Sequence, residues 1–375
     1  MPPDLAPRIA HALLLAAGMF WKVGWSLVLG FLLSGFIQVF VSKKRMSELL
    51  GGEGAGKIAL ASGFGAASSS CSYASAAIMR TLMAKGAGFI PSLAFLFAST
   101  NLVIELGVVL YLLMGWQFMA AEWLGGVLLI IIMGLIVTLT YPKRLVTQAR
   151  ANAERASGGH DHGAMEAHGN FFARFMKRET YAAVASSFLM DWRMLWKDIA
   201  GGFLIAGFLA EFVPAHFWAG LFAGGAEPGL RLVLNAAIAP LIAIVTFVCS
   251  IGNVPMAAVL WAGGASFGGV IAFIYADLIV LPLLDTYRRY FGLKAAAYIA
   301  AVLYATMVIS AIIMDLLFSA LDWVPATARD IAAEVTHFAF DYTFWLNIAL
   351  GAAALALIVL TRGAREEMAH AHHHH

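Results

Sequence analysis

The chain holds two cysteines, and a serine follows each of them inside an otherwise apolar stretch. The first lies in Ala67-Ser68-Ser69-Ser70-Cys71-Ser72-Tyr73, the second in Val248-Cys249-Ser250-Ile251-Gly252-Asn253-Val254-Pro255. A thiolate is a soft ligand suited to thiophilic metals and metalloids. Hydroxyls, an amide and the open N–H groups of an interrupted helix supply the harder contacts of an ion or solute site. Ser70, Ser72, Tyr73, Ser250 and Asn253 therefore join Cys71 and Cys249 as candidate substrate contacts. A second set is ionisable. Glu105 interrupts the apolar run Phe89–Leu113, four residues after Asn101, and that spacing predicts one shared helix face. Asp277 interrupts Val270–Leu284. Charge at membrane depth is costly and marks function by default, so Glu105 and Asp277 are candidate proton or coupling-ion sites, and Asn101 a further substrate contact. Packing accounts for some of the same residue types: buried cysteine is a common small hydrophobe, and serine lets membrane helices approach closely.

A third set, His160, His162 and His168, sits with Asp161 and Glu166 in a polar linker. Alternating histidine and carboxylate can hold a zinc-like ion, but the spacing matches no closed structural zinc site, and a solvated linker fits as well. The terminal His372–His375 run reads as an expression tag.

The elements that carry these residues follow from composition. Of 375 residues, 61% are hydrophobic and 12% charged, against about 45–50% and about 25% in soluble domains. A soluble globule and a disordered chain are both excluded. Apolar stretches at roughly 10–41, 57–83, 88–115, 117–141, 196–213, 229–262, 266–284, 295–321 and 342–361 approach or exceed the ~20 residues that span hydrocarbon. Net charge is +2, which implies no nucleic-acid partner, and two cysteines make no disulfide framework. Basic residues gather at 42–57, 143–195, 285–294 and the tail, which the positive-inside rule places in the cytoplasm; 214–228 and 322–341 then lie outside. Three full spans between 57 and 141 would put 143–195 on the wrong side. A re-entrant pair of half-helices over 57–83 removes the conflict, and such backbone is tolerated at depth where protein buries it.

The chain also repeats. Gly30–Val41 and Gly202–Val213 share seven of twelve residues at an offset of 172; Cys71–Ala98 and Cys249–Ala276 share ten of 28 at an offset of 178. The two cysteines fall on equivalent positions, which would bring them to a pseudo-twofold axis. The expected fold is an all-α polytopic membrane protein: two homologous repeats of about four helical segments with broken or re-entrant helices, plus one C-terminal helix. The expected divisions are 1–141, first repeat; 142–195, cytoplasmic polar loop; 196–320, second repeat; 321–341, external loop; 342–361, extra transmembrane helix; and 362–375, tail. The charge pattern predicts inverted repeats, with a parallel arrangement if the hairpin fails.

FVCSIGNVPMAAVLWAGGASFGGVIAFIYADLIVLP, with SSSCSYASAAIMRTLMAKGAGF and FASTNLVIELG, resembles the predicted-permease family that includes the organoarsenical exporters. The resemblance covers roughly 20–320. It implies efflux of trivalent organoarsenicals or heavy metals, with a binding role for Cys71 and Cys249. Many relatives carry Cys-x-Cys followed by Pro, where this chain has Tyr73 and Ile251.

The resulting expectation is a secondary transporter in a bacterial-type inner membrane whose partners are the lipid bilayer and a small inorganic or organometallic solute. No cofactor is implied, and self-assembly into a homo-oligomer stays open. The G-x-x-x-x-G-K-[ST] phosphate loop is absent from the sequence, which speaks against direct ATP drive within this chain; a transporter rather than an enzyme is expected. Two rivals stand: a membrane thiol–disulfide oxidoreductase cycling the two cysteines, and an ion channel filtered by the Ser/Gly/Asn turns.

Overall fold

A computed structural model describes residues 5–40, 43–68, 70–156, 178–212, 217, 222, 227–246, 250–262, 264–325 and 342–372, and they are all helix, turn or short connection. Cys249, His160, His162 and His168 lie outside the described residues, as does the side chain of Glu105.

The chain opens with α1 (Leu5–Phe40), a helix of 36 residues or about 54 Å, and the short basic α2 (Lys43–Leu50). The stretch expected to be re-entrant is two half-helices, α3 (Ala55–Ser68) and α4 (Ser72–Ala84), broken at the serine run before Cys71. Ser68 Oγ donates to the Gly65 carbonyl and Ser70 Oγ to that of Ser68, so local hydroxyls compete with the helix ladder there. Both outer ends of this pair meet. Gly88 N donates to the Leu50 carbonyl at 2.7 Å, and Glu53, just before α3, accepts from the amides of Phe89 and Ile90, just after α4, at 2.9 and 2.8 Å.

The run 88–115 is not one helix. It divides into α5 (Phe89–Asn101) and α6 (Ile104–Leu113), separated by Leu102 and an extended Val103. Ser99, Thr100 and Asn101 all donate back to carbonyls of their own last turn, which ends the helix. Asn101 and position 105 therefore do not share a helix face, because the helix they were expected to share stops between them. α7 (Trp116–Thr140) follows, then α8 (Lys143–Ala156).

The second half opens with α9 (Arg178–Phe212), then α10 (Pro228–Thr246) and α11 (Ser250–Ala262). Arg231, in the first turn of α10, donates to the Gly264 carbonyl beyond the end of α11, so this pair also closes on itself. Next come α12 (Phe267–Tyr275), a 3-10 turn (Ala276–Ile279) and α13 (Leu281–Phe291), together bent by 41°. Pro282, near the start of α13, lacks the N–H that would have continued the preceding ladder. α14 (Leu293–Ala320) and α15 (Tyr342–His372) complete the chain.

Helix bounds recur at the sequence offset: adding 178 to 72–84, 89–101 and 104–113 gives 250–262, 267–279 and 282–291. The long helices α1 and α9 pack through glycine notches related in the same way. A Cβ on Gly35 of α1 would lie 2.9 Å from the Val184 carbonyl oxygen of α9; one on Gly207 of α9 would lie 2.3 Å from that of Ala12 in α1. Gly35 and Gly207 are 172 apart, and so are Ala12 and Val184.

The two hairpins open at opposite ends of the bundle. The α3–α4 mouth shares its end with the finish of α7, where Tyr141 donates to Glu53 at 2.8 Å, and with α8, whose Asn152 reaches the Phe291 carbonyl at 2.9 Å. The α10–α11 mouth shares the other end with the finish of α14, where the Gly268 amide donates to Asp315 at 2.5 Å. Glu53 and Asp315 thus each place a carboxylate on the first-turn amides of α5 and α12, where the helix dipole favours negative charge. Burial and the Glu53 hydrogen bond push the Tyr141 hydroxyl up to about 12.

Among the described residues, three helices are long and apolar enough to cross a membrane: α7, α14 and Tyr342–Val359 of α15; the bent α12–α13 pair makes a fourth if it is one span. On α7, Leu124, Val127, Ile131, Leu135 and Leu139 form an exposed apolar stripe, as a lipid-facing helix requires. Its other face, from Phe118 through Glu122, Gly125 and Leu129 to Val137, is buried.

Candidate functional site

The hairpin tips meet at one carboxylate. Ser72 opens α4 and Ser250 opens α11, so each hydroxyl stands at the inner break of its hairpin. Asp277 sits in the 3-10 turn, where the chain leaves α-helical geometry and the side chain projects into the centre. Ser72 Oγ donates to Asp277 Oδ2 at 2.8 Å and Ser250 Oγ donates to the same oxygen at 2.5 Å. The two serines are 178 residues apart, the offset at which Cys71–Ala98 and Cys249–Ala276 match in sequence. Asp277 is 1% exposed, and its Oδ1 has no hydrogen-bond partner among the described residues. Asn253, fully buried one turn beyond Ser250, has neither its Oδ1 nor its Nδ2 paired. Buried polar atoms in native proteins are overwhelmingly paired with protein, water or ligand. These three atoms therefore leave open valences at the centre that water or a solute can meet.

The first half provides a contrast. Ser75 and Ser99 occupy the positions equivalent to Asn253 and Asp277, and they satisfy each other, Ser99 Oγ donating to Ser75 Oγ at 2.6 Å. The open valences at the centre thus lie on Asn253 and Asp277 and not on Ser75 and Ser99.

Other predicted contacts take various places. Cys71 is the half-buried residue before α4, in extended conformation, adjacent in sequence to Ser72. Ser70 is buried and turned toward Ser68. Tyr73 packs against the core. Asn101 donates its amide to the Phe97 carbonyl and Thr100 Oγ1 within its own helix, at the end of α5.

Two further features were not singled out from the sequence. Glu122, on the inner face of α7, is fully buried, and neither carboxyl oxygen has a partner among the described residues. Its only sequence signal is a single acid within the apolar run 117–141. The other is a buried ion pair. Arg80 of α4 donates to Asp191 of α9 at 2.7 Å, both side chains being 0% exposed. Ser34 of α1 donates to the second Asp191 oxygen at 3.1 Å, and the Arg80 guanidinium lies 4.7 Å from the centre of the Tyr290 ring. The positions at the matching sequence offsets hold Ala258 and Met19, neither of which carries a charge.

No group of three or more His, Cys, Asp or Glu side chains able to hold a metal ion occurs among the described residues. Among the described residues, the centre offers hydroxyl, carboxylate and amide groups, and Cys71 precedes one of its serines in sequence.

The sequence from residue 8 to 316 matches the predicted-permease family ArsP_1. The chain belongs to that family. It is 43% identical over 325 residues to a Mycobacterium tuberculosis protein described as "Putative permease Rv2963", across 85% of this chain and 80% of that one. No solved structure matches it. The permease is accordingly an all-helical, multi-pass membrane protein, and its buried centre is the natural place to look for a solute.

Proposed function

We propose that the permease is a secondary transporter made of two inverted repeats, 1–141 and 196–320, which exports a trivalent organoarsenical, related metalloid or heavy-metal species through the serine–aspartate centre. The observation that carries this reading is the convergence of Ser72 and Ser250, from hairpins opening at opposite ends, on Asp277. A midplane site between inverted repeats with broken helices is the arrangement through which transporters alternate access. The matching helix bounds and the reciprocal Gly35/Val184 and Gly207/Ala12 packing support the repeat. The near-complete burial of Asp277, Asn253 and Ser72 favours a carrier over an open channel.

Orientation follows from charge. The end with the α3–α4 mouth also carries Lys143, Arg144 and Arg150 of α8 and Arg288 and Arg289 of α13, so it faces the cytoplasm of an inner membrane. The basic segment 142–195, which holds α8 and the start of α9 rather than a loop throughout, then begins on the inside, 321–341 lies outside, and 342–361 adds a span beyond the repeats. Cys71, next to Ser72, would supply the soft ligand, and Cys249 its counterpart.

The test compares cellular retention of trivalent methylarsenical, arsenite, zinc and cadmium. Cells carry empty vector, the wild-type chain, Cys71→Ser/Cys249→Ser or Asp277→Asn. The expected result is lower retention of one solute in wild type, lost in both variants. Equal retention in wild-type and empty cells for all four refutes soft-solute export. Export surviving the thiol variant but not Asp277→Asn moves the reading to an oxygen-liganded solute.

A further inference from the structure

We propose that Glu122 is a proton-binding site: its carboxyl holds a proton in the closed bundle seen here and gives it up to water when the hairpins part. The coupling of that proton to solute rests on the transport reading above; the binding of the proton does not.

Glu122 is the seventh residue of α7, well inside the span, on the buried face opposite the lipid stripe. Its surroundings are built rather than incidental. Tyr275 closes α12 and sends its hydroxyl across to the Ala121 carbonyl at 2.8 Å, the residue before Glu122. That reach depends on Gly125, where a Cβ would overlap the tyrosine oxygen. Tyr275 is thereby held against the turn of α7 that carries Glu122, and Asp277 follows it by two residues in the 3-10 turn. Among the described residues, a carboxylate in this position would have neither donor nor counter-ion. Ionised, it would carry the full penalty of an unpaired charge at membrane depth; protonated, it carries that of a neutral group.

The elements packed against α7 offer no cation to change this balance. α5 carries no ionisable residue. α6 carries Glu105 and Tyr111, the latter half exposed. α12 and its turn carry Tyr275 and Asp277. On α14, Tyr298 bonds Thr140, Tyr304 bonds the Ala237 carbonyl, Asp315 bonds Gly268, and Lys294 is exposed at the far end. α14 also holds two buried hydroxyls without a partner among the described residues, Thr306 and Ser310, one turn apart. Ser310 lies one turn from Met314, which abuts Gly125. Unpaired hydroxyls of this kind are the usual ligands of buried water. Asp277 differs from Glu122 in being held by two serines, one from each hairpin tip. Any movement that parts the tips removes those donors from a residue two along from Tyr275, which is held against the Glu122 turn. The proton of Glu122 is thereby tied to the same motion that opens the centre.

The test is infrared difference spectroscopy on the purified chain in lipid, for wild type, Glu122→Gln, Glu122→Asp and Asp277→Asn. The expected result is a protonated-carboxyl C=O band at neutral pH that moves in D2O, vanishes in Glu122→Gln, shifts in Glu122→Asp and survives in Asp277→Asn. Superimposable wild-type and Glu122→Gln spectra overturn the proposal. So does a band that never responds to D2O, since that proton is sealed and structural. In vesicles loaded with trivalent methylarsenical, wild-type flux should follow an imposed pH gradient and Glu122→Gln flux should not; unchanged dependence in the variant overturns the coupling. Absence of wild-type flux refutes the solute reading alone, and the infrared comparison still decides Glu122.

Discussion

Removing Asp191 should damage this protein more than removing any exposed charge, and removing Arg80 with it should largely repair the damage. In Asp191→Ala the buried guanidinium loses its 2.7 Å partner, Ser34 loses an acceptor at 3.1 Å, and Arg80 retains the Ala156 carbonyl at 3.5 Å and the Tyr290 ring. Breaking a buried pair from one side costs about 3–5 kcal/mol, because the surviving charge stays desolvated. The ring returns about 0.5–2 kcal/mol, which is already present in the wild type and so does not offset the loss. The unfolding equilibrium should therefore shift by roughly a hundredfold to several-thousandfold, at about 1.4 kcal/mol per factor of ten. Replacing both residues by apolar side chains of similar volume, Arg80→Met with Asp191→Leu, removes the charge instead of stranding it. That double variant should lie within about 1 kcal/mol of wild type or above it. Reversible unfolding in mixed lipid–detergent micelles, followed by intrinsic tryptophan fluorescence, measures all three. A loss below about 1 kcal/mol in Asp191→Ala, or a double variant as unstable as the single one, would refute the desolvation argument. The same double variant frees α4 from α9 at one end only, so it should raise thiol-reagent labelling of Cys71 from that end.

Two further outcomes follow from the packing and from the loop at the basic end. Gly207→Ala and Gly35→Ala should each destabilise by about 1–3 kcal/mol, the former more, since its Cβ meets a backbone oxygen at 2.3 Å rather than 2.9 Å. Gly18→Ala and Gly201→Ala, with nothing within 4 Å, should instead stabilise by about 0.5–1 kcal/mol, and thermal midpoints will rank the four. Tyr141 has its hydroxyl pushed up to about 12 from an ordinary 10.0. Its contribution is complete below pH 10 and is lost as pH rises through about 12, so the wild-type stability curve should steepen there and that of Tyr141→Phe should not.

Much of the architecture was written in local composition. Apolar runs of span length and basic islands were enough to expect an all-helical membrane protein with a re-entrant pair of half-helices over 57–83; the packed chain put the break between Ser68 and Ser72. The matching Cys-Ser segments pointed to Ser72 and Ser250, and the cost of a charge at membrane depth pointed to Asp277. What a hydropathy run does not reveal is where a helix stops being one. The break at Leu102 separates Asn101 from position 105, and it arises from side chains returning to their own carbonyls.

Pattern and spacing act over a few helical turns, so they fixed which segments are helical, which are interrupted, and which residues are costly to bury. Only the packed chain could bring Ser72 and Ser250, 178 residues apart, to a single oxygen of Asp277. The same holds for Arg80 and Asp191, whose pairing across 111 residues depends on where α4 and α9 cross. Glu122 shows the reason most plainly. One acid hardly changes the average of a 25-residue span, yet its meaning depends entirely on which neighbours surround it, and those neighbours come from other helices.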